Sequence, residues 1–292
     1  MNFKSIGIIG THINPLVSET VNHLFDLLKD KTSIYFENET SLSVDGSNNQ
    51  SLSLMEISHK CDLAIVVGGD GNFLNAARVL SMYNEIPIIG INRGKLGFLT
   101  DINPDQLSTR LLKVLNGEFS IEKRFMMQVQ LFTNGEIFDT AHSLNEIVID
   151  SGKASRLFEI MVDVDGHYAY SQRSDGIIIA TPTGSTAHAL SAGGPIMHPS
   201  LNVVVLVPMF SHTLSARPIV LNAESTIKVT IGAYNDPQPI LSYDGHNLKA
   251  MSVGSYILLK KHDKNINIIH PLDYDYYKSL REKLHWSKML FD

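Results

Sequence analysis

Cysteine is nearly absent from this chain, because Cys61 is the single one among its 292 residues. An internal disulfide is therefore impossible, and a reducing compartment is expected. Cys61 adjoins an apolar, strand-like run of residues, which favours a small core residue over a reactive thiol.

Long apolar runs are absent as well. Those present, such as residues 203–207, have the length of a strand and fall far below the ~20 residues that a membrane helix needs. The first ten residues (MNFKSIGIIG) contain neither a signal-length apolar segment nor a cleavage site. We therefore expect a soluble, cytoplasmic protein without membrane contacts.

An excess of positive charge is also missing. The formal net charge is −6 and no block of Lys and Arg occurs, which argues against nucleic acids or membrane surfaces as partners. Residues 260–264 (KKHDK) come nearest to such a block, and we expect them at a solvated strand end.

Several familiar site motifs do not occur. There is no G-x-x-x-x-G-K-[ST] P-loop, and the dinucleotide fingerprint fails because Leu74 occupies the place of its third glycine. The 12 histidines show no metal-ligand spacing, and no Gly-x-Ser-x-Gly elbow surrounds Ser185. We expect no metal site built from protein ligands alone.

The hydrophobic pattern divides the chain into two parts. Residues 1–118 alternate apolar strands with helical segments, with a polar loop at residues 38–50, which is typical of an open α/β sheet with mostly parallel strands. Residues 119–270 predict an all-β, sandwich-like domain, and the helical residues 271–292 are expected to complete the first domain. Four dipeptides predict hairpin turns in the second domain: Asn134-Gly135, Ser151-Gly152, Asp165-Gly166 and Asp244-Gly245.

The sequence GGDGN at residues 68–72 lies between an apolar strand, residues 62–67, and a helical pattern. Glycines in such a turn let backbone N–H groups approach phosphates closely. The carboxylate of Asp70 would repel a phosphate, so we interpret it as a group that accepts a proton or holds a metal during phosphoryl transfer. The alternative is a tight turn that Asp70 merely caps.

Asn145 and Glu146 interrupt an apolar segment. Neighbouring side chains of a strand point to opposite faces, so the two could meet one ligand only at a strand end. The amide could then read an adenine edge or a ribose, and the carboxylate could accept hydrogen bonds from sugar hydroxyls. The alternative is the solvent-facing side of an edge strand.

Residues 173–195 (RSDGIIIATPTGSTAHALSAGGP) contain an apolar strand followed by small, hydroxyl-bearing and glycine residues. Small side chains permit close backbone approach, and hydroxyls donate or accept without a charge, which suits a base, a ribose or an amide. A flexible linker is the alternative, although linkers are usually richer in Gly and Ser.

Together these motifs resemble the NAD kinase family in its short prokaryotic form. The likeness covers GGDGN, NRGKLGFLTD at residues 92–101, the Asn145-Glu146 pair and residues 173–195, in matching order across nearly the whole chain. It implies transfer of the terminal phosphoryl group of ATP to the 2′-hydroxyl of the adenosine ribose of NAD. It also implies a divalent cation, Mg²⁺, held mainly by the substrate phosphates, and a homotetramer.

The resemblance assigns roles to individual residues. Asp70 corresponds to the general base, while Gly69 and Gly71 would approach the phosphates. The other expected binding residues are Phe98, Asn145, Glu146, Arg156, Arg173, Asp175, Thr186, Ala187, His188, Ala189, Leu190, Ser191 and His246. His188 departs from the family, in which tyrosine is common at this position, so stacking on adenine would be weaker or pH-sensitive.

Two other functions remain possible at this point. A lipid or sugar kinase would share the GGDG turn but would lack the hydroxyl-rich residues 181–191. A catalytically silent NAD-sensing module would have little reason to place an acid beside phosphates. An assay for NADP formation from NAD, ATP and Mg²⁺ separates all three.

Overall fold

The computed structural model describes residues 2–44, 50–94, 97–152, 157–211, 215–233 and 238–286. In chain order its strands are β1 (Ser5–Ile9), β2 (Ser33–Glu37), β3 (Ser51–Leu52), β4 (Leu63–Gly68), β5 (Pro87–Asn92), β6 (Phe119–Thr133), β7 (Glu136–Ser143), β8 (Glu146–Asp150), β9 (Phe158–Val164), β10 (His167–Ser174), β11 (Gly176–Ala180), β12 (Val203–Met209), β13 (Ile219–Asn222), β14 (Ile227–Ile231), β15 (Ile240–Tyr243), β16 (His246–Ala250) and β17 (Tyr256–Pro271). Its α-helices are α1 (Pro15–Leu28), α2 (Leu54–Lys60), α3 (Asp70–Tyr83), α4 (Leu112–Leu115), α5 (His188–Ser191) and α6 (Tyr276–Leu284).

The chain divides into two structural units, one formed by residues 1–123 together with 266–292, the other by residues 124–265. In the first unit the strands lie in the order β3-β2-β1-β4-β5, all parallel. The end of β17 joins this sheet beside β5, also in parallel. The predicted α/β fold class with a mostly parallel sheet is therefore confirmed for this part of the chain.

Local signals in the sequence explain how the helices of the first unit begin. Asn14 caps α1, since its side chain accepts a hydrogen bond of 3.0 Å from the backbone N–H of Leu16, and Pro15 occupies the first helical position. Ser53 and Glu56 form a reciprocal capping box at the start of α2. The apolar side of α1 packs into the core with Val17, Val21, Leu24 and Leu28.

The strand order of the first unit has a functional consequence. From β1 the chain goes to β2 on one side, while β4 lies on the other side of β1. In open α/β sheets, ligands bind outside the carboxyl ends of the strands at such a reversal. The GGDG turn lies at this edge, where β4 ends and α3 begins.

The second unit consists of antiparallel strands. One sheet has the order β13-β12-β11-β8-β15-β16, and other strands pair as β10-β9-β14-β17 and β6-β7. Alternating side chains of both sets meet in one buried cluster that includes Val129, Ile147, Ile179, Val229 and Ile257. The predicted all-β, sandwich-like class is therefore confirmed.

Three of the four predicted hairpin turns have the expected backbone. Asn134, Asp165 and Asp244 adopt positive φ angles of 54°, 52° and 47°, and a glycine with positive φ follows each one. The prediction at Ser151-Gly152 was wrong, because β8 and β9 belong to different sheets. A glycine with positive φ also occurs where a strand simply ends, so the dipeptide alone does not identify a hairpin.

Other local predictions need correction. The expected loop at residues 38–50 contains a 3₁₀ helix, Thr40–Ser43. Thr40 is buried, and its hydroxyl donates to the carbonyl oxygen of Gly10. Residues 45–49 lie outside the described part of the chain. Among the helical segments expected in the first part of the chain, residues 104–115 form three short pieces, with a π-helical turn at Leu107–Leu111 before α4. Residues 260–264 lie inside β17 rather than at a strand end. No helix in the described ranges combines the length and the apolar character required to cross a membrane.

Candidate active site

Asp70 lies at the junction predicted from the glycine turn. Gly69 is the N-cap of α3 and Asp70 is the first residue of the helix, with 28% of its side chain exposed. A carboxylate at a helix N-terminus interacts favourably with the helix dipole. A Cβ atom built on Gly69 or Gly71 would meet no other atom within 4 Å, so the space over this turn is open to a ligand.

The carboxylate of Asp70 is fixed by backbone amides from the NRGKLGFLTD motif. The N–H of Phe98 donates to Oδ2 at 2.8 Å, and the N–H of Leu99 donates to Oδ1 at 3.1 Å. Gly97 packs so closely on the carboxylate that a Cβ atom there would collide with Oδ1. This motif therefore orients Asp70 and places Phe98 beside it.

Lys283 of α6 also reaches Asp70. Its Nζ lies 3.3 Å from Oδ2 of Asp70 and 4.0 Å from the centre of the Phe98 ring. The lysine side chain is 22% exposed. Sequence reasoning did not identify this residue.

A buried histidine is hydrogen-bonded to the segment that carries Phe98 and Leu99. His270, 2% exposed at the end of β17, bonds through Nδ1 to Asp101 and through Nε2, at 3.0 Å, to Glu122. The ring of Tyr274 stacks on it with centroids 3.9 Å apart. Burial lowers the pKa of His270, but the hydrogen bonds and negative charges of the two carboxylates outweigh that effect and leave the pKa raised.

Glu146 and His188 form a pair in the second unit. Oε1 of Glu146 lies 2.6 Å from Nδ1 of His188, whose side chain is 68% exposed, while that of Glu146 is 2% exposed. Burial raises the pKa of the Glu146 carboxyl, and the hydrogen bond with His188 acts in the opposite direction. Glu146 begins β8, a central strand between β11 and β15, so the edge-strand alternative was wrong.

The start of β8, with Asn145 and Glu146 (the Glu146 corner), carries two buried acceptor atoms. Oδ1 of Asn145 and Oε2 of Glu146 are buried and have no hydrogen-bond partner among the residues that the structure describes. Buried polar atoms in folded proteins are nearly always paired, so an orphaned one needs an explanation. Hydroxyl or amino groups of a bound molecule would supply the missing donors.

Asp244 holds the corner in place, and sequence reasoning missed it. Its carboxylate accepts hydrogen bonds from the hydroxyl of Ser143 and from three successive backbone N–H groups, those of Leu144, Asn145 and Glu146, at 2.6–3.2 Å. The Asp244-Gly245 dipeptide by itself predicts only a hairpin turn. These hydrogen bonds fix the backbone from which the side chains of Asn145 and Glu146 project.

The hydroxyl-rich residues 181–191 pack against the same corner. The N–H of Thr181 donates to Asn145 O at 2.9 Å, and Gly184 lies so close to the Asn145 backbone that no Cβ atom would fit. The hydroxyls of Thr181 and Ser185 bond to backbone carbonyls, and that of Thr183 accepts from Arg124. These three side chains are buried, so their hydroxyls serve the fold rather than a ligand.

The other predicted residues of this segment differ in exposure. Thr186, Ala187 and Leu190 are half-buried and Ser191 is exposed, so their surfaces are open to a ligand. Ala189 is fully buried in a cluster with Ile178 and Val205, and its carbonyl accepts from the N–H of Gly194, so this residue belongs to the core and not to an open surface.

Arg173 and Asp175 lie away from the Glu146 corner. Strand β11 runs from Gly176, opposite Asp150, to Ala180, opposite Glu146, a distance of about 13 Å at ~3.3 Å per residue. His246 is exposed at the start of β16, directly after the turn that contains Asp244. Arg156 lies outside the described residues.

Two family models match the chain, the ATP-NAD kinase N-terminal domain over residues 6–119 and the ATP-NAD kinase C-terminal domain over residues 144–271. The chain belongs to the NAD kinase family. It is similar to the NAD kinase of Marinobacter nauticus, 46% identical over 286 residues that cover 98% of this chain and 97% of that protein. It is also similar to the NAD kinase of Francisella tularensis subsp. novicida, 45% identical over 293 residues that cover 99% of each.

Two solved kinase structures share the fold. The crystal structure of yeast NADH kinase complexed with NADH has a TM-score of 0.89 at 22% identity and covers 100% of this chain and 91% of that one, which supports the fold alone. The NAD kinase from Archaeoglobus fulgidus in complex with ATP has a TM-score of 0.75 at 25% identity, with 96% and 98% covered.

Proposed function

We propose that this protein is an NAD kinase that transfers the terminal phosphoryl group of ATP to the 2′-hydroxyl of the adenosine ribose of NAD, forming NADP. Its membership of the family over nearly its whole length carries the proposal. The placement of Asp70, partly exposed at the start of α3 and held by two amides, supplies the chemistry. The matched relatives give no support to a lipid or sugar kinase or to a silent NAD sensor.

Asp70 acts as the general base in this proposal. A ribose hydroxyl is a weak acid and a poor nucleophile, so the site must orient it in line with the phosphoryl group and accept its proton late. The N–H groups of Phe98 and Leu99 keep the carboxylate in one orientation, which lowers the entropy cost of reaching the reactive geometry. Gly69 and Gly71 give the phosphates room at the N-terminus of α3.

The adenosine half of NAD is the ligand we propose for the Glu146 corner. The orphaned oxygens of Asn145 and Glu146 would accept hydrogen bonds from its amino and hydroxyl groups. Residues 186–191 would line the same pocket, with His188 in place of the family's tyrosine. Arg173, Asp175, His246 and Arg156 would contact other parts of the dinucleotide, and Phe98 would form an apolar wall.

The proposed reaction uses a divalent cation, and Mg²⁺ is the one we propose. Within the described ranges no three His, Cys, Asp or Glu side chains come together in a way that could hold a metal ion. An ion that is held mainly by the substrate phosphates and by water does not need such a cluster. When bound, it would offset the negative charge of the transferred group. We also propose a cytoplasmic location, expected from the sequence, and a homotetramer, which the family resemblance implies.

The decisive experiment incubates the purified protein with NAD, ATP and Mg²⁺ and measures NADP. We expect NADP to form, and we expect Asp70→Asn to lower kcat by about 10²–10⁴-fold, the usual contribution of a positioned base. The KM for NAD should change far less, because Asp70 is proposed to act on the transferred proton while other residues supply most of the contacts to NAD.

Asp105→Asn is the matched control, since Asp105 is exposed and belongs to the same unit. It should leave kcat unchanged. Near-normal turnover in Asp70→Asn would remove Asp70 as the base, and no NADP from the unmodified protein would refute the proposed function.

A further inference from the structure

The lysine beside Asp70 comes from the far end of the chain. Lys283 is 213 residues from Asp70 in sequence, and α6 places its ammonium within 3.3 Å of Oδ2. Leu280 of α6 is buried, with 3% of it exposed, and Asp275 caps the helix by accepting from the N–H of Tyr277. The ring of Phe98 lies 4.0 Å from the same ammonium, so the lysine is held from two sides.

The bonds of Asp70 distinguish its two oxygens. A carboxylate oxygen has about two lone-pair positions for hydrogen bonds. Oδ2 uses both, for the N–H of Phe98 and for Lys283, whereas Oδ1 uses one, for the N–H of Leu99, as far as the described residues show. The remaining position on Oδ1 is therefore the one that can take a proton from an acceptor hydroxyl.

The charge of Lys283 also addresses the repulsion between Asp70 and a phosphate chain. An ammonium in direct contact with the carboxylate lowers the local negative potential where the phosphates would approach. Partly exposed ion pairs of this kind stabilise a fold only slightly. We therefore expect this contact to affect the rate of the reaction more than the stability of the fold.

We infer that Lys283 is a positioning residue for phosphoryl transfer: it holds Oδ2 of Asp70 and so presents Oδ1 to the acceptor hydroxyl. This inference rests on the proposed function, because it acts through Asp70 as the general base. It assigns a role in the reaction to the C-terminal helix, which the sequence motifs did not include.

The test measures kcat and KM for Lys283→Met in the full-length protein. We expect kcat to fall by about 10- to 100-fold, as for other small losses of alignment. The KM values for NAD and ATP should stay within about threefold, because ground-state binding is retained. Lys283→Arg should recover most of the activity, since it restores a cation, and Lys283→Gln should behave like Lys283→Met.

Lys278→Met is the matched control, because Lys278 lies on the same helix, is 66% exposed and pairs with Glu282. It should keep wild-type kcat, and its thermal midpoint should match that of Lys283→Met. The second arm combines Lys283→Met with Asp70→Asn. If the lysine acts through Asp70, adding Lys283→Met to Asp70→Asn should lower kcat by less than about threefold.

Each outcome decides the inference. Wild-type kcat in Lys283→Met, an equal loss in Lys278→Met, or a full additional loss in the Asp70→Asn background would overturn it. Failure of the unmodified protein to form NADP would overturn both this inference and the proposed function, whereas normal NADP formation with an unaffected Lys283→Met would overturn this inference alone.

Discussion

Gly97 contacts the Asp70 carboxylate at the oxygen that is left open for a proton. A Cβ atom at this position would collide with Oδ1 of Asp70 and with the hydroxyl of Thr100. Either the carboxylate or the 97–101 segment would then have to shift. The glycine is needed for space at this position, a reason that the sequence motif itself does not reveal.

We expect Gly97→Ala to lower kcat by about 10- to 100-fold, because a shift of about 1 Å at a reacting group is that costly. Steady-state kinetics of NADP formation measure this. Gly94→Ala is the control from the same motif, since a Cβ atom there meets no other atom within 4 Å. Equal activity of the two variants would show that the contact with Oδ1 does not matter.

At the scale of elements, one turn determines the geometry of the Glu146 corner. Asp244 lies between β15 and β16, yet its carboxylate bonds to the residues that lead into β8. Hydrogen bonds to a charged acceptor are the stronger class. The connection between two strands thereby positions the side chains at the start of a third.

We expect Asp244→Asn to lower the free energy of unfolding by about 2–3 kcal/mol, because the amide nitrogen replaces Oδ2, leaves the buried N–H of Leu144 without its acceptor and removes the charge from the remaining hydrogen bonds. Asparagine tolerates the positive φ of 47°, so backbone strain does not add to the loss. Denaturant unfolding of both proteins measures the difference.

Asp165→Asn is the control for that prediction. Asp165 occupies the same type of Asp-Gly turn with φ 52°, but its side chain accepts from the N–H of Thr226, which an asparagine oxygen can still do. A loss well below 1 kcal/mol is expected there. Similar losses in both variants would refute the special role of Asp244.

At the scale of the whole molecule, the first unit is built from both ends of the chain. Residues 266–292 return to it and contribute the end of β17, the core residue Ile269, His270 and α6. His270 joins this returning segment to Asp101 and Glu122. Both ring nitrogens face carboxylates, so the protonated ring fits this position.

We expect the stability of the protein to decrease above about pH 6.5, the ordinary value for histidine. The pKa of His270 is raised in the fold, so its contribution is complete below the unfolded value and is lost as the pH rises through the folded value. Thermal midpoints measured between pH 6 and pH 9 test this.

His270→Gln should be less stable at pH 6 and should show a smaller decrease toward pH 9. His23→Gln is the matched control, since His23 is exposed on α1. An unchanged pH dependence in His270→Gln would remove His270 as the origin of the effect.

The sequence by itself determined the class of each half, the GGDG turn and the family. These features follow from local periodicity, from glycine and proline chemistry and from short contiguous motifs, all of which are written along the chain. Such motifs also made Asp70 a candidate site residue, and the family resemblance added Phe98.

Only the tertiary structure decided what surrounds those residues. The lysine on Asp70, the bonds of Asp244 and the carboxylates on His270 join positions 213, about 100 and up to 169 residues apart. No periodic pattern encodes such pairs, because they depend on which strand lies beside which after the chain has folded. The hydroxyls of residues 181–185 show the same limit: their composition indicated a ligand site, and their burial assigns them to the fold.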